Sequence, residues 1–566
     1  MSLFHKFLND TGREMYIYYP GDENRTPLKR CSITFLLDDE CGEDGIKEIL
    51  DVYGLAEFAD KNGIILSFPV PKKSGWSYNM DVDGEDDVLA FSRFQEAMTK
   101  KDDLPPELNS IGIPTFKEML STWHPMNDTK YLIGIGSGAS MAYTLAACYP
   151  DNIAAVLAVG GELSSAVREK AVYSPIPVYI TADGSEASEY FIKANGAVKT
   201  YENDQTTIYE NNINPLQCVI LDRACNKLSK ELVAKVWDRM FSKVRRPNTG
   251  AHGDCEPRMD IEKAGFEYFI EDERLDGIPH TWFTHVPSCA KSDPGKKLPL
   301  MIFFHGGSDN PAEAADMSKF HVFGEKEGFI TVYPWGTNRC GWNSSMLPEL
   351  EDDVGFAGAL IKYMTDNYPV DTGRVYLSGF SNGAALAQAA ALVYPELVAA
   401  ICHIDSNWPG SRFGASKIDW RDVIPFAKGM EKKKEYDYRI PVWYTYGSRE
   451  ASYPVYNGCS QQHQYDFWKM YNNIEIKPTP GKENPDPTGC GVKGDETQLL
   501  KPSGRHPHHE YDVQCFYSRD DEPLNLYNYV VMRDKGHDIA HMDAALGWEY
   551  VKQYRRNSDG SLGFVK

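Results

Sequence analysis

The segment RVYLSGFSNGAALAQAAALV, residues 374–393, indicates the fold more clearly than any other part of this chain. Its first residues are typical of a short buried strand, and its alanine-rich second half is typical of a helix. The sequence GFSNG, residues 379–383, lies between the two. A G-x-S-x-G sequence there predicts a sharp strand-to-helix turn that presents the Ser381 hydroxyl at a helix N-terminus, where the helix dipole favours developing negative charge. We therefore expect a nucleophilic serine on an α/β fold.

Short strands alternate with helical segments through the rest of this half of the chain. The expected strands include LMIFF, FITVY, PVWYTY and YVVMR, at residues 300–304, 329–333, 441–446 and 529–533. The expected helices cover Asp353–Asn367, Asn382–Val393 and His541–Arg555. Alternation of this kind predicts a mostly parallel, doubly wound sheet of the α/β class.

A serine hydroxyl becomes an effective nucleophile beside a general base, and in folds of this class the chain order is nucleophile, acid, histidine. Glu450 follows the strand IPVWYTY and His537 follows the strand NYVVMRD, so both lie at the carboxyl ends of strands, where α/β sheets place their chemistry. We predict that Ser381 is the nucleophile, that His537 is the general base and then acid, and that Glu450 orients the imidazole. Asp534 and Asp538 remain alternatives to Glu450.

A glycine pair follows the first expected strand, in FFHGGSDN at residues 303–310. Adjacent glycines let backbone N–H groups approach a developing oxyanion, so the amides of Gly307 and Asn382 are the expected oxyanion hole. A plain glycine turn is the alternative. Trp342 and Trp408 are candidate substrate-binding residues, because aromatic side chains suit a flat or aromatic acyl or alcohol group.

Several of these segments together resemble a known family. The run from Asp352 to Ile401, the HGG sequence, residues 333–343 and residues 447–454 are similar to the polyhydroxybutyrate depolymerase and feruloyl esterase branch of the α/β-hydrolases. The resemblance covers roughly residues 278–556, apart from an insertion within that range. It implies hydrolysis of a carboxylic ester through an acyl-enzyme, with no metal or organic cofactor. Ser381, Glu450 and His537 occupy the triad positions, and Glu450 stands where relatives usually have aspartate.

A long-period repeat relates the two halves of the chain. Five segments recur in the same order: residues 63–69 and 328–334, 75–79 and 341–345, 85–88 and 351–354, 133–142 and 378–387, and 176–188 and 440–452. The repeat predicts two tandem α/β-hydrolase domains, at residues 1–250 and 260–566. The second domain has extra length at about residues 457–528, where lids and substrate walls are common.

The first copy lacks the residues that the chemistry needs. Gly136 stands opposite Ser381, and Asn226 stands opposite His537. Leu37-Asp38-Asp39 replaces the HGG sequence, and Glu186 stands opposite Glu450. Glycine has no nucleophile, asparagine is no base at neutral pH, and two acids would repel an oxyanion. We expect a non-catalytic domain that shapes the pocket of the second; alternatives are an oligomer contact, independent ligand binding, or Ser137 as a displaced nucleophile.

Composition limits the classes of partner. The formal net charge of −22 argues against binding to nucleic acid or to anionic lipid. No apolar run is long enough to span a membrane, and the first residues carry no signal-peptide pattern, so we expect a cytoplasmic protein, or a secreted one if a signal has been removed. The spacing of His506, His508 and His509 fits no zinc template, so no metal is expected.

The sequence thus favours a serine carboxylesterase that acts on a small-molecule ester of feruloyl or hydroxyalkanoate type, in a possible homo-oligomer. Two alternatives remain. A serine peptidase or amidase would use the same triad, and a non-catalytic binding or scaffold protein could be built from two such folds.

Overall fold

The computed structural model describes residues 3–8, 14–20, 31–71, 75–78, 87, 128–151, 153–181, 185–293, 295–337, 341–406, 408–409, 419–450, 453–483, 490–502 and 504–565. The chain forms two compact units. The first unit spans Met1–Asn248, His252–Met259 and Gly504–His506, and the second spans Thr249–Ala251, Asp260–Ser503 and Pro507–Lys566. The division into domains at residues 1–250 and 260–566 stays a prediction. Of the repeated segments, residues 79, 85, 86, 88 and 182–184 of the first copy and residues 451 and 452 of the second lie outside the described residues.

The first unit is built on a ten-stranded sheet. Its strands are β1 (Leu3–Leu8), β2 (Glu14–Tyr19), β3 (Cys31–Leu36), β4 (Ile64–Pro69), β5 (Lys130–Ile135), β6 (Ala155–Val159), β7 (Val178–Thr181), β8 (Val198–Glu202), β9 (Thr206–Glu210) and β10 (Cys218–Asp222). Its helices are α1 (Glu43–Val52), α2 (Leu55–Asn62), α3 (Ser137–Cys148), α4 (Ser165–Lys170), α5 (Ser185–Ala194) and α6 (Lys230–Arg239). The sheet order is β1-β2-β4-β3-β5-β6-β7-β10-β9-β8. A separate small sheet pairs β11 (Val244–Arg245) with β12 (Glu256–Pro257).

The second unit is built on another ten-stranded sheet. Its strands are β13 (Glu267–Asp272), β14 (His280–His285), β15 (Leu298–Phe304), β16 (Ile330–Pro334), β17 (Val370–Phe380), β18 (Ala400–Ile404), β19 (Val442–Gly447), β20 (Glu496–Leu500), β21 (Tyr511–Tyr517) and β22 (Asn525–Met532), and β23 (Tyr554–Arg556) pairs separately with β24 (Leu562–Phe564). Its helices are α7 (Ser288–Ser292), α8 (Pro311–Ser318), α9 (Phe320–Glu327), α10 (Asp353–Asn367), α11 (Asn382–Val393), α12 (Ile424–Glu435), α13 (Ser460–Tyr471) and α14 (Asp543–Val551). The sheet order is β13-β14-β16-β15-β17-β18-β19-β22-β21-β20.

The two large sheets have the same topology. In each, the six central strands are parallel, and the outer strands on both sides pair antiparallel. Where the structure describes the connections between neighbouring parallel strands, which leaves out most of residues 72–127, they contain helices, as is usual for parallel pairing. The expected α/β class with mostly parallel sheets is confirmed.

The extra length of the second unit is distributed differently from the expectation. Much of residues 457–528 forms α13, β20 and β21, and the first unit has the corresponding elements in α5, β8 and β9. The excess lies mainly in two connections, residues 472–495 and 501–510. Because β21 hydrogen-bonds to β22, these strands extend the sheet and are not a detached lid.

Helix α11, which starts at the predicted nucleophile, is almost entirely buried. Its many alanines allow close packing, and it contacts α10, α12 and the centre of the sheet. Strand β15 beside it is buried on both faces, which explains its continuous apolar sequence. Among the described residues, none of the helices has the length and apolar character that crossing a bilayer requires.

Candidate active site

Ser381 lies at the turn between β17 and α11, in a backbone conformation that residues other than glycine rarely adopt. Its φ is 52° and its ψ is −114°, and its N–H donates to the carbonyl of Ile404 at 3.0 Å. The glycines on either side are required sterically. A Cβ at Gly379 would lie 2.5 Å from the carbonyl of Gly383, and a Cβ at Gly383 would lie 2.2 Å from the carbonyl oxygens of β15 and His305. The G-x-S-x-G pattern therefore reflects a strained elbow pressed against the neighbouring strand.

The structure brings the three predicted triad residues together. The His537 Nε2 atom lies 2.9 Å from Ser381 Oγ, and its Nδ1 atom lies 2.6 Å from Glu450 Oε1. The His537 side chain is 46 % exposed and that of Glu450 is 13 % exposed, so the acid is the more sheltered partner. With Nδ1 held by the carboxylate, Nε2 can accept the serine proton.

The electrostatic surroundings favour a charged imidazole. Burial lowers the pKa of His537, but the hydrogen bond that its ring donates to Glu450 and the negative charges of Glu450 and Asp405 outweigh burial and raise this pKa to about 9. A raised pKa means that the imidazolium formed after proton transfer is well stabilised, at the cost of less free base at neutral pH.

The glycine-rich loop after β15 is fixed by its neighbours. The indole N–H of Trp342 donates to the carbonyl of His305 at 2.8 Å, and His305 Nε2 accepts the N–H of Gly336 at 3.0 Å. The Asn382 side chain joins the same structure, since its Oδ1 accepts the backbone N–H of Trp342 at 2.5 Å. These contacts hold the loop that carries Gly307 against the first turn of α11.

The two candidate substrate-binding tryptophans are both buried. Trp342 is 6 % exposed and packs on the His305 ring, with centroids 4.7 Å apart. Trp408 is 2 % exposed and packs between Phe426 and His463. Burial and these contacts argue against stacking of either indole on a substrate and give Trp342 a role in supporting the glycine loop.

Beneath the triad lies a cluster of buried charges that the sequence pattern did not single out. Lys535 is fully buried, and its Nζ lies 3.1 Å from Asp405 Oδ2 and 2.9 Å from Asp543 Oδ2. Asp405 follows β18, at the carboxyl end of a strand, which is the same signal that selected Glu450 and could have found it. Arg449, next to Glu450, donates its backbone N–H to the carbonyl of Lys535 at 2.9 Å.

The first unit has a similar elbow with a glycine in place of the serine. Gly136 has φ 55° and ψ −119°, close to the values of Ser381, and its N–H donates to the carbonyl of Val159 at 3.0 Å. A Cβ at Gly136 would lie 2.4 Å from the Asp38 carboxylate, which accepts the backbone N–H of Ser137 at 2.7 Å. Ser137, the displaced-nucleophile alternative, donates its hydroxyl to the Asp38 carbonyl at 3.0 Å.

The acid and base positions of the first unit also differ. Glu186, which the sequence places opposite Glu450, forms an ion pair with Arg168 at 2.6 Å. The connection after β10, residues 223–229, is shorter than the connection after β22, residues 533–542, and contains no histidine. Asn226 is therefore not a unique counterpart of His537, because the loop itself has a different length.

Comparison with known proteins identifies the fold family of the second unit. Residues 285–423 match the family model described as esterase PHB depolymerase. The second unit is similar to the polyhydroxybutyrate depolymerase and feruloyl esterase branch of the α/β-hydrolases. This confirms the resemblance drawn from the sequence; the tandem duplication stays a prediction.

Curated relatives carry related names. The chain is 26 % identical over 40 % of its length to the bifunctional acetylxylan esterase/xylanase XynS20E of Neocallimastix patriciarum, and 28 % identical over 34 % to an acetylxylan esterase of Coprinopsis cinerea. These alignments span 31 % and 50 % of those proteins, so this chain covers half or less of the length of the two relatives. Among solved structures, an acetyl xylan esterase from Aspergillus awamori aligns with 51 % of this chain and 99 % of its own, at 13 % identity and a TM-score of 0.35.

Proposed function

We propose that the second unit is a serine carboxylesterase that hydrolyses a small or aromatic carboxylic ester through an acyl-enzyme. The observation that carries the proposal is the hydrogen-bonded line from Ser381 Oγ through the His537 ring to Glu450, with distances of 2.9 and 2.6 Å. The esterase names of the relatives support the same reaction class and favour acetyl and feruloyl esters as substrates, beside hydroxyalkanoate esters.

The reaction follows from the geometry. His537 Nε2 takes the hydroxyl proton as Ser381 Oγ attacks the ester carbonyl, and Glu450 stabilises the imidazolium. The tetrahedral oxyanion binds the backbone N–H groups of Gly307 and Asn382. His537 then gives its proton to the leaving alcohol, and a water activated by the same imidazole releases the acid and restores the serine.

The first unit supports the assignment of the oxyanion hole by analogy. Strands β5 and β6 pair Ile135 with Val159, and β17 and β18 pair Phe380 with Ile404 in the same way. Two residues after Ile135 and Phe380, Ser137 and Asn382 therefore occupy equivalent positions. There the Ser137 N–H binds a carboxylate oxygen of Asp38. A negatively charged oxygen is thus the natural partner of this N–H. We infer that the first unit is non-catalytic because its own Asp38 fills the place of the nucleophile and the oxyanion.

The proposal is tested by turnover of a panel of acetyl, feruloyl and hydroxybutyryl esters, with wild type beside Ser381→Ala. Removal of a triad nucleophile is expected to lower kcat by at least ~10³-fold. A fluorophosphonate probe should label the wild type at Ser381 and leave the variant unlabelled. Equal turnover by the variant, or an adduct on another residue, would refute the assignment. Faster cleavage of a matched anilide than of the ester would favour an amidase.

A further inference from the structure

The Asp405 carboxylate is fully buried and accepts hydrogen bonds from the loops that carry Glu450 and His537. Asp405 Oδ1 accepts the N–H of Gly447, three residues before Glu450, at 3.0 Å. Its Oδ2 accepts the N–H of Asp538, the residue after His537, at 3.1 Å. The side chain is 0 % exposed, so these bonds are not weakened by competition with solvent.

The Asp405 carboxylate also forms an ion pair with Lys535. Lys535, also 0 % exposed, lies 3.1 Å from Asp405 Oδ2 and 2.9 Å from Asp543 Oδ2. Burial raises the pKa of Asp405, to about 8, although the Lys535 ammonium lowers it and the two N–H donors favour the ionised form. The carboxyl is therefore mostly ionised at the higher pH at which His537, with its pKa of about 9, loses its proton. A buried lysine is stable only when paired, so the cluster is costly to disturb and holds one arrangement.

The two loops are in direct contact with each other. A Cβ at Gly447 would lie 2.4 Å from the carbonyl of Lys535, and the Arg449 N–H donates to that same carbonyl at 2.9 Å. Asp405 sits at the centre of this contact. Its carboxylate, a carboxylate oxygen of Glu450 and a ring nitrogen of His537 all lie within 4.8 Å of one another.

The backbone of Asp405 shows that this position is maintained against a conformational cost. Its φ is 45°, in the left-handed region that favours glycine. The first unit has glycine at the equivalent place: Gly160 follows β6, has φ 76°, and donates its N–H to Thr181 as Asp405 donates to Thr445. The unit without the triad thus has the unstrained residue, and the unit with the triad has a carboxylate.

We propose that Asp405 is a positioning residue of the esterase reaction, whose buried carboxylate holds the loops that carry Glu450 and His537 in their reactive arrangement. The inference rests on the proposed function. Asp405 acts through its hydrogen bonds and its charge. The charged groups that act on His537 are Glu450 and Asp405, which favour the imidazolium, and Lys535, which opposes it and is itself paired with Asp543.

The test is Asp405→Asn, which keeps the size of the side chain and removes its charge. In either orientation the new amide turns its NH2 towards a donor, which is the Gly447 N–H on one side or the Asp538 N–H and the Lys535 ammonium on the other. One of the two loops that carry Glu450 and His537 should therefore shift. We expect kcat to fall by about 10²-fold, as for a misplacement of about 1 Å, with KM within about threefold of wild type. The acid limb of kcat/KM should move to lower pH by about half a unit to one unit, because a negative charge near the imidazolium is lost.

Two further variants keep the result interpretable. Asp405→Gly provides the residue of the first unit and suits the left-handed backbone, so it serves if the asparagine variant does not fold. The matched control is Tyr376→Phe, which removes a buried hydrogen bond of 2.7 Å from β17 of the large sheet to the Tyr554 carbonyl in β23. The control should lose thermal stability and keep the wild-type kcat and pH profile.

The proposal is overturned if folded Asp405→Asn or Asp405→Gly keeps kcat within threefold of wild type, or loses activity with no movement of the acid limb. The rate of Ser381 labelling by a fluorophosphonate, measured against pH, separates this outcome from failure of the proposed function. If no ester is turned over but labelling is slowed and shifted in Asp405→Asn, the choice of substrate class is wrong and the positioning role stands.

Discussion

The Glu450–His537 contact makes a quantitative prediction for Glu450→Gln. The carboxylate oxygen lies 2.6 Å from Nδ1, and the two charges, delocalised over the carboxylate and the ring, are about 4 Å apart. At the effective dielectric constant of about 20 that applies near a protein surface, their attraction is about 4 kcal/mol. Because the His537 side chain is 46 % exposed, solvent screening makes the attraction weaker than this value. The glutamine amide has the opposite effect on the rate, because it also favours the wrong tautomer of the imidazole and so lowers the activity further. At about 1.36 kcal/mol per decade, kcat/KM should fall by about 10³-fold.

The same variant should change the pH profile in a fixed direction. His537 works as a base only when neutral, and its pKa is raised to about 9, so the wild-type rate should climb with pH until the imidazole is mostly unprotonated. Without the Glu450 charge this pKa falls towards the ordinary histidine value, and the acid limb moves to lower pH while the plateau drops. The assay is kcat/KM for a soluble chromogenic acetate between about pH 5 and pH 10.

Asp534→Asn is the matched control. Asp534 was an alternative acid, is exposed, and has φ 56°, a conformation that asparagine tolerates as well as aspartate. It should keep the wild-type rate and profile. Retention of more than a tenth of the activity by Glu450→Gln, or an unmoved acid limb, would show that another carboxylate supports His537.

Two further variants test other parts of the site. Gly136→Ser should give no second labelled serine and no gain in turnover, because the Asp38 carboxylate already lies 2.4 Å from where the new Cβ would be; a labelled Ser at position 136, detected by mass spectrometry, would contradict this. Trp342→Phe should lower kcat by about tenfold and stability by about 1 kcal/mol, because the His305 carbonyl loses its indole donor; thermal unfolding and ester turnover measure both, and an unchanged kcat would remove Trp342 from the support of the glycine loop.

The elements of the site that local sequence encodes could be predicted. The turn at Ser381 follows from a strand, a G-x-S-x-G sequence and a helix in immediate succession, and the steric contacts of Gly379 and Gly383 explain why the pattern is so restrictive. Glu450 and His537 were found by one rule, that chemistry lies at the carboxyl ends of parallel strands. Each of these signals spans only a few residues.

What depends on packing between distant segments could not be predicted. The burial of Trp342 and Trp408 follows from partners that lie far along the chain, so aromatic type alone gave no guide to exposure. The Asp405–Lys535 pair joins residues separated by more than a hundred positions, and an aspartate after a strand is also common without any function. The extra length of the second unit lies within the expected residues 457–528, mainly in the connections 472–495 and 501–510, but the sequence did not separate these connections from the edge strands β20 and β21, because both have mixed polarity.

Comparison of the two units shows which features of the site belong to the fold and which to catalysis. The elbow has nearly the same φ and ψ at Ser381 and at Gly136, so the sharp turn is a property of the sheet and its following helix, and it persists without a nucleophile. The differences lie in side chains: Asp38 fills one elbow, and Gly160 stands where the other unit has Asp405. A shared backbone therefore does not carry the activity, and function must be argued from the groups that meet at the elbow. By that criterion the strained carboxylate at Asp405 belongs with the triad, because only the unit that has the serine and the histidine bears its conformational cost.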